Sequence, residues 1–368
     1  MLLIINRDVL LKPLLLTTGF VEKKQTMPIL SNVYIKKFGN QITIISNDME
    51  IQVSITIEHD MSGEDFTITL PAKKLQDILK IFPENTNVTL KQDGNKILIS
   101  CGATKFTLQS LPADHYPLLK ISDTAICQFT LEQTNLKTIL SQIQYAMADK
   151  DSRVFLNGML FEIRNNQLRL IATDAHRLGF VTTLINEVVE NSSIIIPRKT
   201  IAELYKLLED SEEPVTLTLF ANQVSFETLG KQLISKVIDG KYPDYERVIP
   251  LGNDKLCLIN RTELLRAIER VGVIGIDKLK TVAFDIAPNT LVLTCRNEDQ
   301  EDSHDEIKIV YQGTEQFRIC FNITYVRDLL TNSQAETLQW AFYDGQRSVL
   351  VTIPTDPNFK AVLMPLRN

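Results

Sequence analysis

Two stretches of the sequence, QITIISND at residues 41–48 and QLRLIATD at residues 167–174, share a pattern of alternating apolar residues that ends in aspartate. Their last residues, Asp48 and Asp174, are 126 positions apart. Two further pairs of segments repeat at the same offset: LPAKK at 70–74 with IPRKT at 196–200, and HYP at 115–117 with KYP at 241–243. This period is far too long for a solenoid unit, so each copy is predicted to be a domain with its own core.

A third, weaker copy follows towards the end of the chain. TLVLTCRN at 290–297 occupies the place of IATD, and FNITYVRDLL at 321–330 occupies the place of IPRKTIAELY. Three such copies nearly fill the 368 residues. The sequence therefore predicts an N-terminal domain at residues 1–125, a central domain at 126–252 and a C-terminal domain at 253–368.

The same order of local patterns recurs in every copy. An amphipathic helix is followed by alternating β-branched runs, then by a second short helix and further strands. The predicted helices are at 8–18 and 72–81, at 131–147 and 198–208, and at 261–273 and 324–330. Hairpin-like strand order argues against a Rossmann sheet. We expect an α+β fold, in which each domain consists of two halves with a helix and an antiparallel sheet.

The composition defines the class of protein. Hydrophobic residues make up 44% and charged residues 23% of the chain, as in soluble globular proteins. Five widely separated cysteines without a CxxC pair predict buried free thiols in a reducing compartment, and no metal site. The apolar N-terminus is interrupted by Arg7, Asp8 and Lys12, so neither a signal peptide nor a transmembrane helix is expected. The prediction is a soluble, cytosolic protein.

The charge is unevenly distributed along the chain. With 39 Lys and Arg against 45 Asp and Glu, the net charge of −6 at first argues against a nucleic-acid partner. The six predicted helical segments with their flanking loops nevertheless contain 19 Lys and Arg and 11 Asp and Glu. They carry +8, and the rest of the chain carries −14. Solvated helix faces explain any single lysine, whereas the bias across all six segments favours one basic face made of helices.

Several stretches together resemble the bacterial DNA polymerase III β subunit family, the sliding clamps, and the resemblance covers the whole chain. They are LLKPL at 10–14, MPILSN at 27–32, LNGMLFE at 156–162, ATDAHRL at 172–178, VIDGKYPDYERVIP at 237–250, the FN and TYV of 321–326, and VLMPLR at 362–367. None of them is an enzyme motif, and their order and spacing over three repeats carry the resemblance.

The resemblance implies a non-catalytic processivity factor without a cofactor. Two subunits would close head-to-tail into a six-domain ring around double-stranded DNA, with helices lining the hole, and would tether the replicative polymerase. Basic residues facing phosphates would give a sequence-independent attraction that permits sliding. The residues implied on the DNA side are Lys24, Lys73, Lys150, Phe155, Arg198 and Lys199.

Two protein-binding surfaces are implied as well. A pocket between the central and C-terminal domains would bind a short, mostly apolar motif of the clamp loader, of replicative and translesion DNA polymerases, and of mismatch-repair and other proteins. Its residues would be Leu156, Thr173, His176, Arg177, Leu178, Pro243, Arg247, Val248, Tyr325, Ser348, Val362, Met364, Pro365 and Leu366. The interface of the homodimer would use Lys74, Ile78, Lys105, Phe106, Leu108, Val273, Ile274, Glu301 and Asp302.

Two other functions compete with this interpretation. Asp174 and His176, two positions apart, would share a face of a strand and suggest an acid–base enzyme, although no catalytic motif accompanies them. A scaffold that binds peptides without encircling DNA is compatible with the net charge of −6. Phe106 and Leu108 equally suit the core of the first domain, and alternation alone does not separate core from interface.

Overall fold

The computed structural model describes residues 2–21, 27–58, 64–121, 124–275, 281–297 and 299–366. Within them the chain forms six α-helices: α1 (Arg7–Thr17), α2 (Ala72–Ile81), α3 (Gln133–Ile143), α4 (Arg198–Leu207), α5 (Arg261–Gly275) and α6 (Ile323–Asn332). All three repeats contribute two helices, as predicted.

The strands follow one repeated order, in which a strand leads into a helix and three strands follow it. The first repeat contains β1 (Leu2–Asn6), β2 (Asn32–Phe38), β3 (Gln41–Asn47), β4 (Ile51–Glu58), β5 (Phe66–Pro71), β6 (Asn87–Asp93), β7 (Lys96–Cys101) and β8 (Thr104–Gln109). The second contains β9 (Cys127–Glu132), β10 (Gly158–Arg164), β11 (Gln167–Thr173), β12 (Arg177–Leu184), β13 (Ser192–Pro197), β14 (Pro214–Leu219), β15 (Gln223–Thr228) and β16 (Lys231–Lys236). The third contains β17 (Lys255–Asn260), β18 (Thr281–Ala287), β19 (Thr290–Arg296), β20 (Asp302–Lys308), β21 (Val310–Tyr311), β22 (Phe317–Asn322), β23 (Thr337–Phe342), β24 (Val349–Ile353) and β25 (Asp356–Leu363).

The two halves of each repeat exchange their leading strands. In the first repeat, β1 joins β6, β7 and β8, while β5 joins β2, β3 and β4. The second and third repeats show the same exchange, and the strands pair antiparallel. The exchange explains why one repeat behaves as a single domain although it contains two sheets. The predicted α+β class, with two helix-plus-sheet halves per repeat, is confirmed.

Sheets also join across the repeats. β4 pairs with β16 to make an eight-stranded sheet, and β12 pairs with β25 to make a nine-stranded one. The chain accordingly groups into two compact units, Met1–Thr134 with Lys199–Val237 and Asn135–Arg198 with Ile238–Asn368. The predicted domain boundaries near residues 125 and 252 fall in irregular chain between strands, and they stay a prediction.

The predicted helix at 131–147 is too long at both ends. Leu131 belongs to strand β9, and α3 ends at Ile143, where the chain tightens into the 3-10 turn Gln144–Ala146. The error has a simple cause, because the apolar positions of the strand and the turn continue the helical spacing. Within α3 itself, Leu136 and Leu140 are fully buried, as that spacing predicts.

The first residue of α1 ties that helix to α2. Arg7 is buried, and it donates from Nε to the carbonyl oxygen of Leu79 at 2.7 Å and from Nη2 to that of Lys80 at 3.1 Å. These carbonyls belong to the last turn of α2, which has no donors of its own. Arg261, at the start of α5, donates in the same way to the main chain at the end of α6. The guanidinium therefore acts as a C-terminal cap in two of the three repeats.

The cysteines form no disulfide, and four of the five are buried. Cys101 is the one that is half-buried. In the part of the chain that the structure describes, no helix combines the length and the apolar character needed to span a membrane.

The turn between β11 and β12 contains a strained residue. Ala175 has a φ of 74°, in the left-handed region where its Cβ crowds the backbone. The Oγ1 of Thr173 accepts a hydrogen bond from the Ala175 N–H at 3.1 Å. Asp174 Oδ1 accepts from the N–H groups of the next two residues, at 2.9 and 3.0 Å. These bonds hold the turn in a conformation that glycine adopts without cost.

Replacing Arg7 with alanine should lower the free energy of unfolding by roughly 2–3 kcal/mol, because two buried carbonyls lose a charged donor. Urea unfolding of the purified protein measures the loss. Lys12→Ala is the matched control, since Lys12 is exposed on the same helix, and it should change the stability by less than about 0.5 kcal/mol. Equal effects of the two substitutions would contradict the capping role.

Replacing Ala175 with glycine should raise the free energy of unfolding by up to about 1 kcal/mol, because the relieved strain exceeds the added chain entropy. The same unfolding experiment measures the gain. Ala172→Gly, in strand β11 just before the turn, should instead destabilise the protein by about 1 kcal/mol or more. A loss of stability in Ala175→Gly would show that the turn is not strained.

Candidate functional site

A cavity of about 230 Å³ lies where four segments of the second unit meet. These segments are the 3-10 turn Val154–Asn157, the turn between β11 and β12, the irregular segment 239–251, and the end of β25. The cavity is lined by Arg153, Phe155, Leu156, Thr173, Ala175, Arg177, Leu178, Pro243, Tyr245, Val248, Val362 and Met364. Eight of these were predicted for the peptide pocket: Leu156, Thr173, Arg177, Leu178, Pro243, Val248, Val362 and Met364.

The floor of the cavity consists of core side chains. Leu178 and Val362 are paired directly across β12 and β25, and both are only 1% exposed. Leu156, from the 3-10 turn, is buried to the same extent. Met364 is 38% exposed. A rigid apolar floor beside a flexible methionine suits an apolar side chain of variable shape.

Arg177 is engaged inside the protein. Its Nε lies 3.0 Å from Asp174 Oδ2, and its Nη1 lies 2.7 Å from Asp328 Oδ2 on α6. Its Nη2 donates to the carbonyl oxygen of Tyr145 at 2.5 Å. The guanidinium is also 5.2 Å and 4.4 Å from the ring centroids of Tyr145 and Tyr325. Arg177 therefore braces the turn beneath the cavity against α6.

Burial is the main cause that raises the pKa of Tyr325, followed by the negative charge of Asp174. The phenol stays neutral in the physiological range, and its ring offers an uncharged face to the guanidinium.

Six predicted pocket residues lie outside the cavity lining: His176, Arg247, Tyr325, Ser348, Pro365 and Leu366. His176 is exposed, and its ring centroid is 6.4 Å from that of Tyr325. The side chain of Arg247 is 87% exposed, and its Nε lies 2.8 Å from Asp244 Oδ2. A ligand role for these six residues stays a prediction.

The sequence analysis missed three lining residues, Arg153, Ala175 and Tyr245, and assigned a fourth, Phe155, to DNA. Each lies within three positions of a residue that was predicted for the pocket. The available signal was the repeated KYP segment, which places Tyr245 two positions after Pro243. Nothing in the local pattern indicated that Phe155 points to the cavity, since one turn can present neighbouring side chains to different surroundings.

The geometry of Asp174 and His176 argues against acid–base catalysis. The two residues lie in the turn after β11, not on a strand as the alternative assumed. Asp174 accepts two main-chain hydrogen bonds and binds Arg177, so its carboxylate is used to hold the turn. The pair is a structural element of the cavity.

The predicted DNA-facing residues divide by their contacts. Lys24 lies outside the described residues. Lys73, on α2, and Lys150 are exposed. Phe155 is half-buried and lines the cavity. Lys73 and Lys150 therefore offer solvent-exposed positive charges at the two predicted sites that are described outside α4.

The two basic residues at the start of α4 are engaged with the protein. Arg198 Nη1 donates to the carbonyl oxygen of Met147 at 2.7 Å. Lys199 Nζ lies 2.5 Å from Asp48 Oδ2, so that its charge is neutralised by a carboxylate whose side chain is only 8% exposed. Any phosphate contact by Lys199 would compete with this pair.

The helices are basic as a group. Their residues comprise 13 Lys and Arg against 6 Asp and Glu. The remainder of the chain then has 26 Lys and Arg against 39 Asp and Glu. The charge bias found in the sequence persists with the actual helix boundaries.

The predicted interface residues lie on the two four-stranded sheets and their helices. Ile78 and Leu108 are buried in the core of the first repeat, and Phe106 packs against that core at 5.9 Å from the ring of Phe82. Val273, on α5, is 70% exposed. The charged members are exposed: Lys74, Lys105, Glu301 and Asp302. Ile274 is half-buried.

Comparison with known proteins covers the full length of the chain. Three family models match in sequence order: the N-terminal domain of the DNA polymerase III beta subunit at residues 1–120, its central domain at 130–244 and its C-terminal domain at 246–367. A beta sliding clamp from Pseudomonas putida is 35% identical over 364 residues, which is 99% of each chain. The beta sliding clamp of Escherichia coli is 30% identical, with the same coverage.

Solved structures give the same result. A DNA polymerase sliding clamp from Pseudomonas aeruginosa has a TM-score of 0.94 at 33% identity, over 100% of both chains. A sliding clamp from the same organism bound to griselimycin has a TM-score of 0.95, also at 33% identity and full coverage. With this agreement in sequence, fold and repeat order, the chain belongs to the DNA polymerase III beta subunit family, the beta sliding clamps.

Proposed function

We propose that two copies of this chain close into a ring that encircles duplex DNA and acts as a non-catalytic sliding clamp. One observation carries the proposal beyond family membership. Within the chain, the last strand of a first half pairs with the last strand of the next repeat's second half, as β4 does with β16 and β12 with β25. The corresponding strands β20 and β8 each stand at the edge of a four-stranded sheet in the described chain.

The two edges suit each other. An edge strand presents main-chain groups that need a partner strand or water. The existing junctions each pair five residues per strand, and β8 and β20 have six and seven residues. Pairing β20 of one protomer with β8 of the other would continue the rule twice around a two-fold axis.

Charge complementarity supports the same pairing. Glu301 and Asp302 are exposed at the start of β20, whereas Lys105 is exposed on β8 and Lys74 on α2. Opposite charges on the two edges favour the heterologous contact and disfavour β8–β8 or β20–β20 pairing. The dimer would be head-to-tail.

The basic helices would face the DNA. A ring is retained by topology, so weak and sequence-independent phosphate contacts are sufficient, and strong contacts would hinder sliding. The exposed Lys73 and Lys150 are the principal described candidates. The pairing of Lys199 with Asp48 is consistent with such a surface, because it moderates the local charge.

The cavity would bind the short apolar motif of partner proteins, namely the clamp loader, replicative and translesion polymerases, and mismatch-repair proteins. An open apolar cavity is otherwise unfavourable on a protein surface. Its side chains come from the second and third repeats, which supports domain boundaries at 125/126 and 252/253. This activity puts the chain in the cytoplasm, and at the nucleoid when it is loaded on DNA.

On nicked circular DNA with a compatible clamp loader, the protein should stay bound and should dissociate after the circle is cut. Gel filtration of the labelled protein with the DNA measures its retention. Lys73→Glu with Lys150→Glu should reduce loading and retention several-fold, because like charges then face the phosphates.

Lys91→Glu with Lys96→Glu is the matched control, because both lysines are exposed on strands of the outer type of sheet rather than on helices. This variant should behave as wild type. Equal release of wild-type protein from circular and cut DNA would refute encirclement and favour a peptide-binding scaffold.

Replacing Met364 with alanine should weaken the binding of a polymerase-derived clamp-binding peptide about tenfold, because apolar burial worth roughly 1.4 kcal/mol is lost. Isothermal titration calorimetry measures the affinity. Leu251→Ala is the control, since Leu251 is 92% exposed and outside the cavity lining. An unchanged affinity in Met364→Ala would remove this residue from the binding surface.

A further inference from the structure

The segment 239–251 forms one wall of the cavity without being a strand of the sheet. It supplies Pro243, Tyr245 and Val248 to the lining, and its regular structure is the 3-10 turn Tyr245–Arg247. A wall of this kind keeps its position only if side chains anchor it. The anchor nearest to the cavity is Tyr245, which is 7% exposed and packs its ring 5.8 Å from that of Phe180.

The hydroxyl of Tyr245 reaches a pair of charges on the sheet. It donates to Glu162 Oε2 at 2.6 Å and accepts from Arg169 Nη1 at 3.3 Å. Glu162 and Arg169 are directly opposite each other in the β10–β11 ladder, and Arg169 Nη1 lies 3.8 Å from Glu162 Oε2. The two strands therefore present a preformed donor and acceptor to one phenol.

The same arginine also holds the next residue of the turn. Arg169 Nη1 lies 3.2 Å from Glu246 Oε1, and Arg164 Nη1 lies 3.1 Å from the same oxygen. Two positions before the cavity wall, the Tyr242 hydroxyl donates to the carbonyl oxygen of Ile171 at 3.3 Å. The segment is thus fixed to β10 and β11 at three successive points.

The chemistry of the tyrosine contact is favourable. A hydroxyl that donates to a carboxylate forms a short, charge-assisted bond. Burial, and then the hydrogen bond to Glu162, raises the pKa of Tyr245 to about 12. The phenol consequently remains a donor over the whole range in which the protein would be active.

We propose that Glu162 and Arg169 are positioning residues of the peptide pocket, which set the place of the Tyr245 wall relative to the Leu178 floor without touching the peptide. Neither side chain lines the cavity. The inference rests on the proposed peptide-binding function and assigns a role to the glutamate that ends LNGMLFE. Its loss lets the wall shift, so the peptide binds a less complementary site.

The test is a double-mutant cycle on peptide affinity with Glu162→Gln and Tyr245→Phe, both of which keep the shape of the side chain. Each single variant should weaken the binding of the polymerase-derived peptide about three- to tenfold in isothermal titration calorimetry. The double variant should bind no more weakly than the weaker single one, because the two changes break the same contact.

A matched control separates positioning from general stability. Asp285 and Arg318 form a similar cross-strand pair on β18 and β22, with contacts of 2.6 and 2.7 Å, and lie outside the cavity lining. Asp285→Asn should leave the peptide affinity within twofold of wild type, even if the unfolding midpoint falls as it does in Glu162→Gln.

The outcomes distinguish the two levels of inference. If wild type fails to bind the peptide, the proposed pocket function itself is wrong. If wild type binds and Glu162→Gln binds equally well, the positioning role is overturned. Independent, additive losses in the two single variants would also overturn it, because they would mean that the Tyr245 hydroxyl acts on the peptide directly.

Discussion

The open edge of a β-sheet is the constraint on which the rest of this structure depends. Every half-repeat ends in a strand whose main-chain groups need a partner. Inside the chain, this need is met by joining repeats, through β4 with β16 and through β12 with β25. The exchange of leading strands within each repeat makes the two halves inseparable, so the sheet edges that remain are fixed in identity. The strands β8 and β20 occupy the equivalent positions, and the proposed dimer follows from the same rule that builds the monomer.

The three repeats are similar in backbone and different in chemistry, which explains the position of the cavity. At the turn of the first repeat, Gln52 occupies the place of Leu178 and accepts a hydrogen bond from the Leu119 N–H at 2.9 Å. Asn47, in the place of Thr173, donates to the carbonyl of Pro117. These polar contacts draw the incoming segment onto the turn. In the second repeat, the apolar Leu178 leaves an apolar surface there, and the corresponding segment is held further out by Tyr245 and Glu162.

The turn aspartate also has a different partner in each repeat. Asp48 binds Lys199 of α4, whereas Asp174 binds Arg177, which in turn reaches Asp328 of α6. Both arrangements connect a turn of one repeat to the second helix of the next. The lysine pair leaves a half-exposed ammonium, while the arginine is enclosed by two carboxylates and two aromatic rings. A single position in a repeated framework thus contributes to a basic helix surface in one copy and to the base of a peptide cavity in another.

The sequence by itself determined the repeat, the α+β class, most helix positions and the basic character of the helices, because hydrophobic periodicity and charge are local properties that each segment carries with it. The error at 131–147 arose where a strand continued the helical spacing. Tertiary structure alone decided which strands join the repeats and which pocket residues meet. Arg177 and Asp328 are 151 positions apart, and Tyr245 and Glu162 are 83 apart. Contacts over such separations depend on how the sheets pair, and no local pattern records them.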